Sequence, residues 1–292
     1  MPEVNPRKCV LLAGGSGFIG ASAARVLARE AISFTIADRR HGVDLSDWQQ
    51  VHRLLPPMDA IVHLAGPASA SQSWDAPHPF YREHILITLN LLELARLNGA
   101  RLVFGSSYIY GDPQYLPIDE EHPANPTNPY MSSKLMAEQL CAAYAGDFAV
   151  PVTALRIFNP YGPGQPSCFL VPELIEGIQK RSVTLRDPAP RRDFVHVDDI
   201  AGAILAALRC SHQGFEVFNL GSGSSISVHE LVSLAIRVSG RPVTVCYQSK
   251  TRRGEIANVV ADVSRAAAVL GWTPRVALED GIRRLLMRED AL

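Results

Sequence analysis

A short apolar run that leads directly into regularly spaced glycines constrains the fold of this chain more than any other feature. Residues 8–13 (KCVLLA) predict a buried strand, and the glycines that follow have the spacing G-x-x-G-x-x-G, at Gly14, Gly17 and Gly20. A helical pattern comes next, and residues 33–37 (SFTIA) predict a second strand. Glycines between a strand and a helix allow a tight turn, close helix–sheet packing and approach of the backbone to a phosphate. The turn therefore predicts a dinucleotide-binding site, with the pyrophosphate at the N-terminus of the helix.

The alternation of strands and helices continues through the first half of the chain. Strands are predicted at residues 60–64, 102–105 and 152–158, and helices at 81–98 and 132–145. Apolar strands that alternate with helices are typical of a parallel sheet with both faces covered. The expected fold class is therefore α/β, a Rossmann-type doubly wound parallel sheet with a smaller C-terminal α/β substrate-binding domain.

A change of composition marks the predicted domain boundary. After Asn159 the segment YGPGQPS is rich in glycine and proline, and the alternation weakens. Residues 195–208 again predict a strand and a helix, which could return to the sheet. The predicted NAD(P)-binding domain comprises residues 1–160 and 193–220, and the predicted substrate-binding domain comprises residues 161–192 and 221–292.

Charge and cysteine content limit the classes of partner. The 292 residues include 28 basic and 29 acidic side chains, so the net charge of −1 gives no reason to expect nucleic acid or an anionic membrane. No stretch approaches the roughly 18 apolar residues that a bilayer-spanning helix needs. The five cysteines lack C-x-x-C spacing, which is typical of reduced thiols in the cytoplasm. We expect a cytoplasmic protein that holds no metal.

An acidic residue at the end of the second predicted strand bears on the choice of dinucleotide. Asp38 lies 18 residues after Gly20, where a carboxylate can accept hydrogen bonds from the adenosine ribose and repel a 2′-phosphate. This favours NAD, but Arg39 and Arg40 could bind a 2′-phosphate, so NADP stays possible. Asp44 is either a contact on the adenine side or the N-cap of a helix.

A phenol and an ammonium group lie four residues apart, at Tyr130 and Lys134. This spacing places both side chains on one face of a helix. The pKa of a free tyrosine is about 10, but a nearby lysine and a positive cofactor ring stabilise the phenolate. Tyr130 could then take the proton of a hydroxyl group while hydride leaves the same carbon. Ser106 and Ser107 offer further hydroxyl groups just upstream, in FGSSYIYGD.

Nine motifs in order give the chain a specific resemblance over almost its whole length. It resembles the extended short-chain dehydrogenase/reductase family, which contains the nucleotide-sugar epimerases and dehydratases. The motifs are GGSGFIG (14–20), HLAG (63–66), SSYIYGD (106–112), PYMSSK (129–134), LRIFNPYGPGQ (155–165), RRDFVHVDD (191–199), FNLGSG (218–223), RRGE (252–255) and LGWTP (270–274).

The resemblance implies a role for individual residues. The implied catalytic residues are Ser106 as hydrogen-bond donor to the reacting oxygen, Tyr130 as acid and base, and Lys134 as its partner. The implied NAD contacts are Gly14, Gly17, Phe18, Ile19, Gly20, Asp38, Arg39, Asp44, Leu45, Leu64, Ala65, Gly66, Tyr130 and Lys134. The implied contacts to a nucleotide-diphosphate sugar are Ser107, Asn159, Arg192, Arg252 and Glu255, where Glu255 replaces the usual aspartate.

Three departures from the family pattern modify these expectations. Ser107 and Tyr108 stand where the dehydratases have an Asp-Glu pair, so elimination of water lacks its acid and base. His84 and Ile87 replace a usual asparagine and glycine, either as a packing exchange or as a change beside the nicotinamide. The short segment 38–44 is typical of the family's 4-keto-sugar reductases and weakens the case for an epimerase.

Three functions follow from the resemblance. The first is an NAD-dependent epimerase, in which hydride leaves sugar C4 for bound NAD, the 4-keto intermediate rotates, and hydride returns to its other face. The alternative is an NAD(P)H-dependent 4-ketoreductase of a nucleotide-bound 4-keto-6-deoxy sugar. A catalytically silent, cofactor-sensing regulator is a third, although it would have no need of Ser106, Tyr130 and Lys134. The resemblance also implies a homodimer with a four-helix interface built from helices 81–98 and 132–145.

Overall fold

A computed structural model describes residues 9–53, 58–248 and 253–289. The strands of this part of the chain are β1 (Cys9–Ala13), β2 (Ser33–Ala37), β3 (Ala60–His63), β4 (Arg101–Ser107), β5 (Val152–Ile157), β6 (Asn159–Tyr161), β7 (Ser182–Leu185), β8 (Arg191–Arg192), β9 (Phe194–His196), β10 (Phe215–Leu220), β11 (Ile226–Ser227) and β12 (Thr244–Tyr247). Its α-helices are α1 (Phe18–Arg29), α2 (Trp48–His52), α3 (Gln72–Asp75), α4 (Pro77–Asn98), α5 (Pro129–Phe148), α6 (Leu170–Gln179), α7 (Val197–Arg209), α8 (Val228–Ser239) and α9 (Leu278–Glu289).

Six strands form the central sheet, in the order β10-β5-β4-β3-β1-β2. Strands β2, β1, β3 and β4 pair in parallel. The chain leaves β1 toward β2 on one side and then crosses to β3 on the other, so the strand order reverses beside β1. Ligands of doubly wound folds bind outside the carboxyl ends of the strands at such a switch point. The glycine-rich turn follows β1 at this position, and the α/β doubly wound prediction is confirmed.

Both faces of the sheet are covered, which explains why its strands are apolar throughout. Leu11 and Ala13 of β1 join one core cluster with buried side chains of α4 and α5. Val10 and Leu12, which point the other way, are buried as well. A separate small cluster joins Val26 of α1 to α7. A strand buried on both faces has no polar positions to alternate with apolar ones.

The chain divides into two compact units. Unit 1 comprises Met1–Ile109, Pro126–Arg156 and Ala201–Phe218, and unit 2 comprises Tyr110–Asn125, Ile157–Ile200 and Asn219–Leu292. The predicted first domain thus differs from unit 1 mainly at residues 110–125 and 193–200, which pack in unit 2. Within unit 2, Ile118 of the first of these segments pairs with Ala261 in an isolated parallel bridge.

Unit 2 has a core of its own, built from three helices and short strands. Its cluster combines buried side chains of α6, α8 and α9 with Tyr161, Val183 and Phe194 from the strands. The two-stranded pairs of this unit are β6 with β9, β7 with β12, and β8 with β11. Among the described residues, no helix combines the length and the apolar composition that a membrane crossing requires.

Several elements are longer than the sequence pattern predicts. Helix α4 begins at Pro77 and α5 at Pro129, because proline fits the first helical turn and Asn128 caps α5 by accepting a hydrogen bond from the Met131 backbone N–H. Strand β4 continues through Ser107 rather than ending at Gly105. The two serines therefore lie in the strand itself, where successive side chains point in opposite directions.

Candidate active site

The glycine-rich turn in unit 1 depends on close contacts that exclude side chains. Gly14 has φ +82°, and a Cβ atom on it would lie 2.7 Å from the Ala65 backbone nitrogen. A Cβ on Gly20 would lie 2.2 Å from the Gly14 carbonyl oxygen. Gly17 is the N-cap of α1, no side chain of the described residues caps that end, and its first turn contains no acidic residue. The N–H groups of the first turn, at Phe18 and Ile19, are therefore suited to a pyrophosphate.

Asp38 lies against this turn as a carboxylate. Its Oδ2 accepts a hydrogen bond from the Ser16 backbone N–H at 2.9 Å, and its Oδ1 lies 2.8 Å from His41 Nδ1. Burial raises the pKa of Asp38, but the hydrogen bonds from His41 and Ser16 outweigh it and lower the pKa from 3.8 to about 2. Asp38 is thus ionised at neutral pH and can accept a hydrogen bond from a ribose hydroxyl.

The charged residues near Asp38, which the sequence offered as cofactor contacts, are hydrogen-bonded to other protein groups. Arg39 Nη2 donates to Glu83 Oε1 at 3.0 Å, whereas Arg40 Nη1 donates to the Ser16 carbonyl oxygen at 3.3 Å. Asp44 Oδ1 accepts hydrogen bonds from the backbone N–H and the hydroxyl of Ser46. The N-cap alternative for Asp44 is wrong, because Asp47 caps α2 by accepting a hydrogen bond from the Gln49 N–H.

The remaining residues implied to contact NAD are the segment Leu64–Gly66 and Leu45. Ala65 is buried against Gly14, and Gly66 has φ +129°, a conformation that side chains rarely adopt. Leu45 is buried, and its carbonyl oxygen accepts a hydrogen bond from Asn90 Nδ2 of α4 at 3.0 Å. These residues line the carboxyl ends of β1 and β3 or lie beside α4.

The Ser106 hydroxyl is not available for its predicted role as hydrogen-bond donor to the reacting oxygen. Ser106 Oγ donates to Glu138 Oε2 at 2.7 Å, and Glu138 also forms a buried ion pair with Arg156, with Nη2 to Oε1 at 2.5 Å. All three residues are at most 9% exposed. A hydroxyl group has one proton to donate, so Ser106 cannot also donate to a reacting sugar oxygen while it holds Glu138.

Ser107, the next residue, has the properties expected of the catalytic hydroxyl. It is 6% exposed, and its Oγ has no partner in hydrogen-bonding geometry within the described part of the chain. It nevertheless lies close enough to affect Tyr130: burial raises the pKa of the Tyr130 phenol, and the Ser107 hydroxyl partly lowers it. Because Ser107 follows Ser106 in a strand, it points the opposite way, toward Tyr130.

Lys134 is held at the end of β4. Its Nζ donates to the Gly105 carbonyl oxygen at 2.8 Å and lies 5.0 Å from the centroid of the Phe104 ring. Burial lowers the pKa of Lys134 from 10.5 to about 8, and the charge of Glu138 opposes this shift. The ammonium group is therefore mostly protonated at neutral pH. One turn from Tyr130 on α5, it can favour the phenolate.

In unit 2, the predicted substrate residues are already paired with protein groups. Asn159 Nδ2 donates to the Asp193 carbonyl oxygen at 3.1 Å. Arg192 Nη1 donates to the Ile256 carbonyl oxygen at 2.7 Å, and its Nη2 forms an ion pair with Glu255. Arg192 and Glu255 are thus brought together although 63 residues separate them. Arg252 lies outside the described residues.

Two features were missed or underestimated at the sequence level. The Glu138–Arg156 pair was not anticipated, although Glu138 follows Lys134 by one helical turn and could have been sought on that basis.

His84 is more than a packing exchange, because both of its ring nitrogens are in hydrogen-bonding range of unit 1 groups. Ile87, in contrast, is buried in the apolar core. His63 Nε2 lies 2.9 Å from Thr88 Oγ1 of α4.

Comparison with known proteins gives consistent matches over nearly the whole chain. The model of the NAD dependent epimerase/dehydratase family matches residues 10–221. The UDP-glucose 4-epimerase of Corynebacterium glutamicum is 30% identical over 298 residues, which cover 91% of this chain and 90% of that protein. The UDP-glucose 4-epimerase of Thermotoga maritima, solved with UDP-glucose, superposes with a TM-score of 0.91 and 25% identity, over 97% of this chain and 100% of that one. MoeE5, in complex with UDP-glucuronic acid and NAD, has a TM-score of 0.88 and 29% identity, over 98% and 100% of the two chains.

Proposed function

This chain belongs to the NAD dependent epimerase/dehydratase family, and from that premise we propose that it is an NAD-dependent nucleotide-sugar epimerase acting at sugar C4. The observation that carries the proposal is the arrangement of Tyr130, Lys134 and Ser107 in unit 1, where the Ser107 hydroxyl has no partner in hydrogen-bonding geometry among the described residues. The names of the related 4-epimerases support the choice of C4. A nucleotide-diphosphate sugar is accordingly the proposed substrate.

NAD is proposed as the dinucleotide. The uncapped N-terminus of α1 fits a pyrophosphate, and the ionised Asp38 fits a ribose hydroxyl and disfavours a 2′-phosphate. Residues 64–66 and the first turn of α1 would hold the cofactor. When bound, NAD would supply a hydride acceptor and a positively charged ring, and its reduced form would return the hydride.

In the proposed reaction, the protein side chains transfer the proton of the sugar C4 hydroxyl and hydrogen-bond the oxygen at C4. The Tyr130 phenolate would take the proton of the sugar hydroxyl and later return it to the 4-keto oxygen. The Ser107 hydroxyl would donate a hydrogen bond to the same oxygen, the role that the sequence analysis gave to Ser106. Burial raises the Tyr130 pKa in the protein alone, and Lys134, fixed by the Gly105 carbonyl, would together with the positive nicotinamide ring lower it toward the range needed for proton transfer.

The groups in unit 2 are proposed to bind the nucleotide part of the substrate. Arg192 offers a guanidinium for a diphosphate, but its ion pair with Glu255 must rearrange or share the arginine donors. Asn159 and Arg252 keep their proposed roles at the diphosphate, and Glu255 its proposed role at the ribose. The absence of an acid and base pair at the end of β4 argues against a dehydratase, because Ser107 and Tyr108 stand there.

The main alternative is a 4-ketoreductase that uses NAD(P)H. It is favoured by the short segment 38–44 between β2 and α2, which contains only a single helical turn at Arg39–His41. Denaturing the purified protein and identifying the released dinucleotide separates the two functions. Stoichiometric NAD supports the epimerase, because an epimerase retains its cofactor through the cycle. Protein that is free of dinucleotide and oxidises NADPH with a 4-keto-6-deoxy sugar nucleotide would exclude it.

A homodimer is part of the proposal. Helices α4 and α5 pack side by side in unit 1 and expose four large apolar side chains, Leu86, Leu97, Met136 and Phe148. An exposed apolar set on two adjacent helices suits a four-helix interface with a second copy. Light scattering should give the mass of a dimer, and Met136→Lys should lower it toward that of a monomer. An unchanged monomeric mass for both proteins would remove this part of the proposal.

A further inference from the structure

A buried histidine in unit 1 connects the segment after β3 with the first turns of α5. His84 lies in α4 and is 1% exposed. Its Nε2 lies 3.0 Å from the Pro67 carbonyl oxygen, and its Nδ1 lies 2.8 Å from Ser133 Oγ. Pro67 directly follows the segment proposed to contact NAD, and Ser133 lies between Tyr130 and Lys134 on α5.

The hydrogen-bond partners determine the protonation state of the ring. A carbonyl oxygen can only accept, so Nε2 carries a proton that it donates to Pro67. Burial and the charges of Lys134 and His63 lower the pKa of His84 from 6.5 to about 2, so the ring stays neutral. Nδ1 of a neutral ring with a protonated Nε2 is an acceptor. Ser133 Oγ lies 2.8 Å from this nitrogen and 2.9 Å from the Tyr130 carbonyl oxygen, so its single proton is shared between two acceptors, and the His84 contact requires that it is donated to Nδ1.

The backbone at Gly66 packs tightly against the His84 imidazole. A Cβ atom on Gly66 would lie 2.6 Å from His84 Cδ2, so the segment closes directly over the imidazole. Gly66 also has φ +129°, which side chains rarely adopt. With His84 in this place, residue 66 has to be glycine, and the hydrogen bond to the Pro67 carbonyl joins segment 64–67 to the ring.

The same ring forms one wall of the place where Tyr130 sits. The His84 and Tyr130 ring centroids are 5.7 Å apart with an interplanar angle of 64°, and Phe80 packs edge-on to Tyr130 at 6.3 Å. Edge-to-face packing at these separations orients aromatic rings. His84 therefore contacts the phenol ring directly and, through Ser133, the turn of helix that carries it.

We propose that His84 is a positioning residue that fixes the Tyr130 phenol relative to segment 64–67, using the Pro67 carbonyl and the Ser133 hydroxyl as its two anchors. This inference rests on the proposed function for the identity of the reaction. The rigid His84 imidazole presents a donor and an acceptor on opposite sides. The asparagine usual in the related family presents both at one end of a flexible side chain.

The test replaces the hydrogen bonds while keeping the ring. His84→Phe removes both anchors, and we expect kcat to fall about 10- to 100-fold, since small displacements of reacting groups have effects of this size. KM for the nucleotide sugar should change by less than about threefold, because Tyr130 acts in the transition state rather than in ground-state binding. The acidic limb of the kcat profile should move up by at least about half a pH unit, because a displaced phenol is less stabilised by Lys134.

Two further variants make the result specific. His84→Gln retains a donor and an acceptor and should recover part of kcat and of the pH profile. His212→Phe is the matched control, since His212 bonds Thr153 Oγ1 at the amino end of β5, whereas the proposed site lies at the carboxyl ends. Loss of thermal stability in His84→Phe without a change in kcat or in the pH profile would overturn the proposal.

A spectroscopic measurement covers the case in which His84→Phe does not fold. Nitrogen-15 NMR of the wild-type protein as purified should show a histidine, besides the buried His63 whose pKa is also lowered, that keeps the Nε2–H tautomer and does not titrate between pH 5 and 8, about 1.5 units either side of an ordinary histidine. His84→Gln assigns this signal. An Nδ1–H tautomer, or titration near pH 6.5, would refute the two-anchor arrangement. The NMR measurement needs no substrate. If the proposed function is wrong, the wild-type enzyme is inactive on nucleotide sugars, whereas the tautomer of His84 is unaffected.

Discussion

Replacing the two adjacent serines of β4 one at a time should produce opposite patterns of damage. Ser107→Ala removes a buried hydroxyl whose Oγ has no partner in hydrogen-bonding geometry in the described structure. Ser106→Ala removes the donor that holds Glu138 Oε2 at 2.7 Å, next to the buried Arg156 ion pair. The Ser107 hydroxyl is available to a ligand, whereas the Ser106 hydroxyl is already hydrogen-bonded to Glu138.

The magnitudes follow from these environments. A hydrogen bond to a buried charge contributes about 1.5–3 kcal/mol, so Ser106→Ala should lower the free energy of unfolding by about that amount. Ser107→Ala removes no hydrogen bond to a charged group in the described structure and should change it less, by about 1 kcal/mol or below. Loss of a donor to a reacting oxygen costs about 10²- to 10³-fold in turnover, which we expect for Ser107→Ala. Turnover of Ser106→Ala should stay within about tenfold of wild type.

Denaturant unfolding and initial rates of epimerisation, measured on the same preparations, check both halves of this prediction. Ser107→Thr, which keeps the hydroxyl, is the control for altered packing and should retain more activity than Ser107→Ala. The reasoning is refuted if Ser106→Ala is the inactive and stable variant while Ser107→Ala is the unstable and active one. That outcome would return the catalytic hydroxyl to Ser106.

Three other predictions concern charge. Because the pKa of Lys134 is about 8 in the folded protein and 10.5 in the unfolded chain, the unfolded state binds more protons at this group between these values. The contribution of Lys134 to stability should therefore rise by up to about 3 kcal/mol from pH 8 to 10.5, measured by denaturant unfolding as the difference between wild type and Lys134→Met, since the raised pKa of Cys141 lowers stability in both proteins over this range. Asp38→Ala should raise the affinity ratio of NADP to NAD at least about tenfold in fluorescence titrations, since it removes the charge that repels a 2′-phosphate; an unchanged ratio would contradict this. Arg192→Ala should weaken nucleotide-sugar binding about tenfold or more and leave NAD binding nearly intact by calorimetry, and equal losses would remove Arg192 from the substrate site.

Much of unit 1 could be predicted from the sequence because its determinants are local. The spacing of Gly14, Gly17 and Gly20 indicates the turn after β1, and Asp38 follows at the end of the next strand. Tyr130 and Lys134 lie one helical turn apart, which fixes their common face whatever the rest of the chain does. In each case the pattern spans one element and its adjoining turn.

What the sequence did not reveal depends on contacts between distant segments. Nothing in FGSSYIYGD distinguishes the two hydroxyl groups; the direction of each is set by how far β4 extends and by Glu138, 32 residues after Ser106. Motif matching alone assigned Ser106. The roles given to Arg192 and Glu255 likewise treated the two side chains separately, although they pair with each other. Pairing of charges across such separations is decided by packing, for which a motif carries no signal.

The most direct test of the proposed function follows the fate of the hydrogen at sugar C4. The purified enzyme is incubated with UDP-glucose carrying deuterium at C4, and product and cofactor are analysed by mass spectrometry and NMR. The proposal predicts a C4 epimer that retains the deuterium at C4, with no net change in the NAD content of the enzyme. A panel of other nucleotide sugars labelled in the same way extends the test to the sugar class. Absence of any epimer across the panel, together with stoichiometric oxidation of NADPH by a 4-keto-6-deoxy sugar nucleotide, would contradict it.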